Sequence, residues 1–204
     1  MILDLDALSP AQTYFQMIQT LIPRPIAWVL SEHAGGSLNL APFSYFTAVC
    51  AEPPLVLISV GHKPDGSLKD TRVNIEERDD FVIHIAHREM LEAMNASSAT
   101  LPAGVSEVEK LGLATVPFPG SRLPRLAAAR VAYACKRFEI REIGPGKQSL
   151  IIGRITHIYL DDTIIDVSVD GRIRVDAESL DPIARLGASE YAMLSEVVRL
   201  KRPA

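Results

Sequence analysis

The sequence predicts a mainly β protein with peripheral helices, its strands forming a closed or nearly closed antiparallel barrel. Three features carry this. Short apolar runs of strand length recur along the 204-residue chain, and turn signals rather than helical crossovers separate most of them. No GxGxxG follows a strand and no GxxxxGK[ST] occurs, which disfavours a doubly wound dinucleotide fold and a P-loop.

The elements follow in order. Ser9-Pro10 places an N-cap before a proline at the first helical position, and Tyr14, Met17, Ile18 and Leu21 recur at helical spacing. Residues 1–22 therefore read as a helical lead-in. A strand runs around Ile26–Leu30, and the paired glycines of EHAGGS make the turn after it. Leu55–Val60 is a continuous apolar run bounded by Pro53-Pro54 and Gly61, a strand expected to be buried on both faces. After HKPDG, Ser67 is read as an N-cap with Asp70 three residues on, opening a helix. FVIHIA is a strand and EMLEAMNASSA a helix.

Pro102–Pro124, rich in glycine and proline with a brief helical patch at Ser106–Leu111, reads as a long surface excursion. RVAYACKRFEIREI and SLIIGRITHIYLDD form a hairpin across GPGKQ, with an irregularity at Lys136-Arg137. In its second arm Ile151, Gly153, Ile155, His157 and Tyr159 fall on one face. Short β-patterned runs at Ile164–Val169 and Ile173–Val175 precede a helical pattern over Ser189–Leu200. With no internal repeat or linker, residues 1–204 are expected to form one domain, with 180–204 as a tail and helix.

Composition narrows the function. With 48% apolar and 23% charged residues the chain matches an ordinary globular protein, and its length allows roughly 70% of the unfolded surface to be buried. A formal charge of −4 argues against a nucleic-acid or anionic-membrane partner. The acidic start MILDLDALSPAQ, and the lack of an apolar run near the ~20 residues a bilayer needs, point to a cytoplasmic protein. Cys50 and Cys135 form no CxxC and are expected to be free thiols; they and the histidines show no metal spacing.

Two segments suggest chemistry. Ser67-Leu68-Lys69-Asp70-Thr71 lies at an expected helix start, where unpaired N–H groups and the dipole attract an anion. It is a phosphate cradle or a capped surface helix. Asn39–Pro54 (NLAPFSYFTAVCAEPP) is an irregular strand whose aromatics fill the core, or a proline-broken segment that leaves backbone groups for a planar ligand. Trp28, the sole tryptophan, has two roles open to it, core packing or stacking on a ligand. For His157 they are a packed edge position or a catalytic contact, and for Arg185 and Tyr191 docking of the tail or reaching the site.

RPIAWV, NLAPFSYFTAV, EPP, KDTRVNI, IIGRITHI and PIARLGASEY, in that order from about Leu21 to Tyr191, resemble the flavin reductase-like family of FMN-binding split-barrel proteins. Glu52 stands where that family has aspartate, and Gly187-Ala188 where it often has two glycines. The resemblance implies an antiparallel split β-barrel with FMN along Asn39–Thr47. There the backbone of Asn39, Leu40 and Ala41 and the hydroxyls of Ser44 and Thr47 would meet the ring, with Pro42 also among the cofactor-binding residues. Lys69, Asp70 and Thr71 would take the phosphate, with Asn74 one turn on, and Ser67 of the cradle read above beside them. It further implies NADH or NADPH as electron donor, a homodimer, and a monooxygenase or electron-transfer partner. A flavoredoxin-type carrier and a flavin-binding barrel without turnover are the alternatives.

Overall fold

The computed structural model describes residues 1–167, 171–201 and 203. Helix α1 (Pro10–Thr20) leads into strands β1 (Arg24–Pro25), β2 (Ala27–Glu32), β3 (Leu38–Phe43), β4 (Phe46–Ala51) and β5 (Pro54–Val60). Then come α2 (Asp70–Arg78), β6 (Asp80–Ile85), α3 (Leu91–Ala96), α4 (Glu107–Lys110), β7 (Thr115–Val116) and β8 (Arg125–Leu126). The chain continues through β9 (Val131–Ile143), β10 (Gln148–Leu160), β11 (Ile165–Val167), β12 (Ile173–Val175), α5 (Ala177–Leu180), β13 (Ala184–Arg185) and β14 (Tyr191–Ala192). Among the described residues no helix is long and apolar enough to cross a membrane.

Seven strands form the central antiparallel sheet in the order β3-β2-β6-β9-β10-β5-β4. Its two edges, β3 and β4, are consecutive in the chain, joined only by Ser44 and Tyr45. The sheet thus curls until its edges face one another without pairing: a split barrel, as the sequence led one to expect. Alternation along β2 shows where the core sits. Ala27 and Val29 join Val56, Ile58, Ile75, Phe81 and Ile151 in one apolar cluster. Trp28 and Leu30 point the other way, joining Met90, Met94, Val108, Phe118 and Leu126 beneath α3, α4 and the excursion. Covered on both faces, β2 reads as an unbroken apolar run. β5 is milder: Leu57 and Ser59 on its second face are half-buried, not fully buried as expected.

The hairpin of β9 and β10 forms as expected, 13 residues per arm. The first irregularity falls one residue beyond the expected place: Arg137 pairs with Gly153 and Glu139 with Ile152, so Phe138 is the extra residue. A second shift at Thr156 ends the row that begins Ile151, Gly153, Ile155. Ile151 and Ile155 pack in the inner cluster, whereas Tyr159 packs in the outer one and His157 is exposed. The single face expected for all five residues is therefore split by the bulge.

Two helix expectations fail locally. Ser67 does not cap α2: its N–H and hydroxyl both donate to Asp65 Oδ1, at 2.9 and 2.7 Å, in a turn that ends before the helix. α2 begins at Asp70 with Lys69 at the N-cap position and no side-chain cap. The helix read over Ser189–Leu200 is absent; β14 pairs with β13 and residues 193–201 have no regular structure. Leu194, Val198 and Leu200 are exposed, and a short helix without a partner for its apolar face is marginal in water. By contrast α1 forms with the full capping box of Ser9 and Gln12. The β11–β12 pair forms too, although positions 168 and 169 of the expected first run lie outside the described residues.

Candidate functional site

The sequence-flagged segments meet where the barrel splits. In β3 the Leu40 N–H faces away from β2 and donates to Glu107 Oε2 at 2.9 Å, while the Ser106 hydroxyl donates to the Leu38 carbonyl at 2.6 Å. The start of α4 thus covers part of this edge. Residues two apart face the same way along a strand, so Pro42 also turns to the open edge, where it has no N–H to offer. The segment expected to leave both N–H and C=O groups free therefore leaves carbonyls, followed by the Ser44 hydroxyl.

Beside this edge, α2 is held by buried polar contacts. Asn39 Nδ2 donates to Ser31 Oγ (3.2 Å) and Thr71 Oγ1 (2.9 Å), and Asn74 Nδ2 donates to the same Ser31 hydroxyl at 3.1 Å. Asn39, Thr71 and Asn74 are nearly inaccessible. Their amides spend their donors on scaffold, fixing the first turn of α2 against β2 and β3. Lys69, immediately before that turn, reaches over Phe43 with Nζ 5.7 Å from the ring centroid.

Three cavities line the seam, of about 390, 400 and 60 Å³, and Lys69 lines all three. Tyr14, Pro42 and Ser44 line both larger ones, and Ser98 joins the first to the smallest. Together they form one groove, each larger part matching the size of a small-molecule site. Of the residues singled out from sequence, Asn39, Ala41, Pro42, Ser44, Lys69, Asp70 and Thr71 come together on it. The others lie elsewhere. Trp28 is wholly buried and donates from Nε1 to Ser97 Oγ at 2.9 Å, so its ring is core and not open to stacking. Leu40 is buried in the outer cluster, Thr47 is exposed on β4, and Ser67 is held in the Asp65 turn. His157 sits outside the groove against Gly120, where an added Cβ would strike the imidazole.

Several groove residues were not singled out from sequence. Tyr14 comes from α1, Arg24 from β1, and Ser98 and Thr100 from the turn after α3, where the hydroxyl cluster ASSAT was the readable signal. Glu107 contributes a carboxyl whose pKa burial raises. Arg185 and Tyr191 hold the tail without a salt bridge among the described residues, and both lie along the groove. The guanidinium of Arg185 donates to the Ala188 carbonyl and stacks 4.7 Å from the Tyr191 ring, Tyr191 OH donates to Asn95 Oδ1, and both line the groove.

The charge pattern is informative. Asp70 is paired with Lys63 at 2.9 Å. Lys69 has no ion pair among the described residues, and burial, then the neighbouring Lys63, lowers its pKa below the ordinary 10.5. Arg24 is 5% exposed and donates to the Ile18, Leu21 and Leu186 carbonyls at 2.7–2.8 Å, with Ser44 Oγ at 3.4 Å from Nε. In the cavity of about 400 Å³ the Tyr45 hydroxyl is buried without a hydrogen-bond partner among the described residues. An elongated groove with an unpaired ammonium at one helix start and an open strand edge along its wall fits a flat molecule carrying an anion. Among the described residues no three His, Cys, Asp or Glu side chains are grouped to hold a metal.

Comparisons with known proteins agree with this geometry. Residues 19–172 match the model of the flavin reductase like domain. An uncharacterized protein of Halalkalibacterium halodurans is 41% identical across 97% of this chain and 94% of its own length. YwrF of Bacillus subtilis is 36% identical over 97% of each. Among solved structures, nitrilotriacetate monooxygenase component B from Bacillus cereus superposes with a TM-score of 0.89 at 32% identity, covering 98% of both chains. The 2-nitrobenzoate 2-nitroreductase NbaA of Pseudomonas fluorescens gives 0.88 at 32%, covering 100% of this chain and 96% of its own.

Proposed function

Because this chain belongs to the flavin reductase like domain family, we propose that it binds FMN in the seam groove and passes electrons to it from NADH or NADPH. The observation that carries this reading is Lys69. A half-buried ammonium without an ion pair among the described residues, at the start of α2 and touching every part of the groove, is suited to a phosphate.

When bound, the flavin would supply the redox chemistry itself, taking up a hydride and releasing its electrons singly or in pairs. The chain's own groups bind and orient. Lys69 would hold the phosphate, with Thr71 and Ser98 as hydroxyl partners beside it; β3 and Ser44 would flank the ring. Arg24 and Lys69 would favour any negative charge developing over the groove, being fixed before the reaction starts. No nucleophile or acid–base triad is needed, and Pro42, Phe43 and Met94 give the groove apolar wall beside its polar groups.

The names of the two 32%-identical structures, a monooxygenase component and a nitroreductase, support a redox role and delivery of electrons to a further acceptor or partner protein. We read the chain as a single unit that works as a homodimer. Supporting this, Ile183 of the tail is in the core, while Phe15, Met17, Leu21 and Ile22 around α1 and Val49 on edge strand β4 are exposed. Sedimentation velocity tests the dimer; a monomer at micromolar concentration rejects it.

The test of function is anaerobic. Protein loaded with FMN should bleach near 450 nm on addition of NADH or NADPH, roughly the flavin's ordinary absorption. Bound flavin that stays oxidised with both donors refutes the reductase and leaves the electron carrier. Failure to bind FMN, judged by titration, rejects the flavin reading altogether.

A further inference from the structure

The cavity of about 390 Å³, lined in part by α1, carries more positive charge than a cofactor phosphate at the start of α2 requires. Arg24, Lys69 and Arg185 all line it, and no aspartate or glutamate does, in a chain whose formal charge is −4. None of the three forms an ion pair among the described residues. Arg24 is the clearest case. The residue is 5% exposed, spends its donors on three carbonyls and a serine, and meets no counter-charge among the described residues. A buried cation without an anion is costly. Arg185 lies opposite on β13, its plane over Tyr191, and Tyr14 of α1 forms another aromatic wall.

We propose that this cavity binds the carboxylate of a small planar acid as a second ligand beside the flavin, with Arg185 as its hydrogen-bonding partner and Arg24, its donors largely taken, adding positive charge behind it. The proposal rests on the flavin reading, since Pro42, Ser44 and Lys69 are shared between this cavity and the rest of the groove. It adds the charge class of the second ligand. The aromatic walls suit a ring, and two arginines in addition to Lys69 suit an anion separate from the cofactor's own.

The experiment uses FMN-loaded, full-length protein and two isosteric probes, benzoate and its uncharged amide, benzamide, with binding read from the shift they cause in the flavin's visible spectrum. Wild type should bind benzoate at least about tenfold more tightly than benzamide. Arg185→Gln should remove that preference, Arg185→Lys should restore part of it, and both variants should keep FMN and riboflavin affinities within about twofold of wild type, which also reports that they fold. Equal binding of benzoate and benzamide to wild type overturns the proposal. So does an Arg185→Gln variant that loses FMN affinity but keeps riboflavin affinity, because the cations then serve the cofactor phosphate. If adenosine diphosphate displaces benzoate and binds more tightly, with that binding lost in Arg185→Gln, the cations belong to a dinucleotide and the small-acid assignment falls. Wild type that takes up no FMN rejects the underlying flavin reading, and this is settled by titration before any probe is added.

Discussion

Lys69→Ala should separate FMN from riboflavin. In the structure this ammonium is half-buried, has no ion pair among the described residues and belongs to the N-cap residue of α2, just ahead of the unpaired N–H groups of the first turn. A charge-assisted hydrogen bond of this kind contributes about 1.5–3 kcal/mol, and partial exposure to water argues for the lower half of that range. About 2 kcal/mol corresponds to a ~30-fold weaker dissociation constant for FMN. Riboflavin, which lacks the phosphate, should lose no more than about threefold, through the missing contact with Phe43. Fluorescence quenching titrations at fixed ionic strength measure both. Wild-type affinity for FMN should also decline as pH rises through the lowered pKa of Lys69, which is below 10.5, because the charged form is the one that binds. Equal losses for FMN and riboflavin, or no loss for either, would refute a phosphate at Lys69.

Three further outcomes are expected. Trp28→Phe, which leaves Ser97 without its indole donor, should cost about 1–3 kcal/mol in urea unfolding with flavin affinity unchanged; a large affinity loss at intact stability would return Trp28 to the site. His84 is fully buried, its Nδ1 beside the Trp28 carbonyl and its Nε2 accepting from the Leu126 N–H, and burial lowers its pKa from 6.5 to about 4. The folded state thus favours neutral His84, so its contribution is complete above pH 6.5 and declines by up to about 3 kcal/mol as pH falls to about 4; unfolding free energies that are flat across this window, or unaltered in their pH dependence by His84→Gln, would contradict it. Ala188 has a left-handed backbone with φ +47°, so Ala188→Gly should raise stability by about 0.5–1 kcal/mol, the steric relief exceeding the added unfolded-state entropy; a lower melting temperature counts against the strain.

Much of the architecture was readable because it rests on local chemistry. Ser9, Pro10 and Gln12 specify the start of α1 whatever the rest of the chain does, and GPGKQ turns one long arm of the hairpin into the other. The tail was misread because Leu194, Val198 and Leu200 keep helical spacing but have nothing to pack on; periodicity states which face is apolar, not whether a partner covers it. Ser67 was misread because two local motifs compete for one hydroxyl, and the nearer Asp65 wins.

The site was half legible for a related reason. Asn39–Ser44 and Lys69–Thr71 are compact segments of distinctive composition, and both reach the groove. Arg24, Tyr14, Ser98 and Glu107 are ordinary residues until the sheet brings them to the seam, and no spacing rule relates positions so far apart. Asn74 lies on α2 beside that groove, and its amide reaches Ser31, inside the fold. The second glycine position, noted as a departure at Ala188, turns out to be one where the backbone itself asks for glycine.

The Arg24 guanidinium, described above as a lining group, is also a clasp. It grips the end of α1 through Ile18 and Leu21 and the tail through Leu186, residues separated by more than four-fifths of the chain. Helix α1 and the β13–β14 segment are thereby tethered to one side chain that also lines the cavity. Any molecule whose bound state depends on that side chain draws on the docking of both segments. Its occupancy becomes a gauge of whether they are in place, and mass action returns the favour by stabilising the docked form.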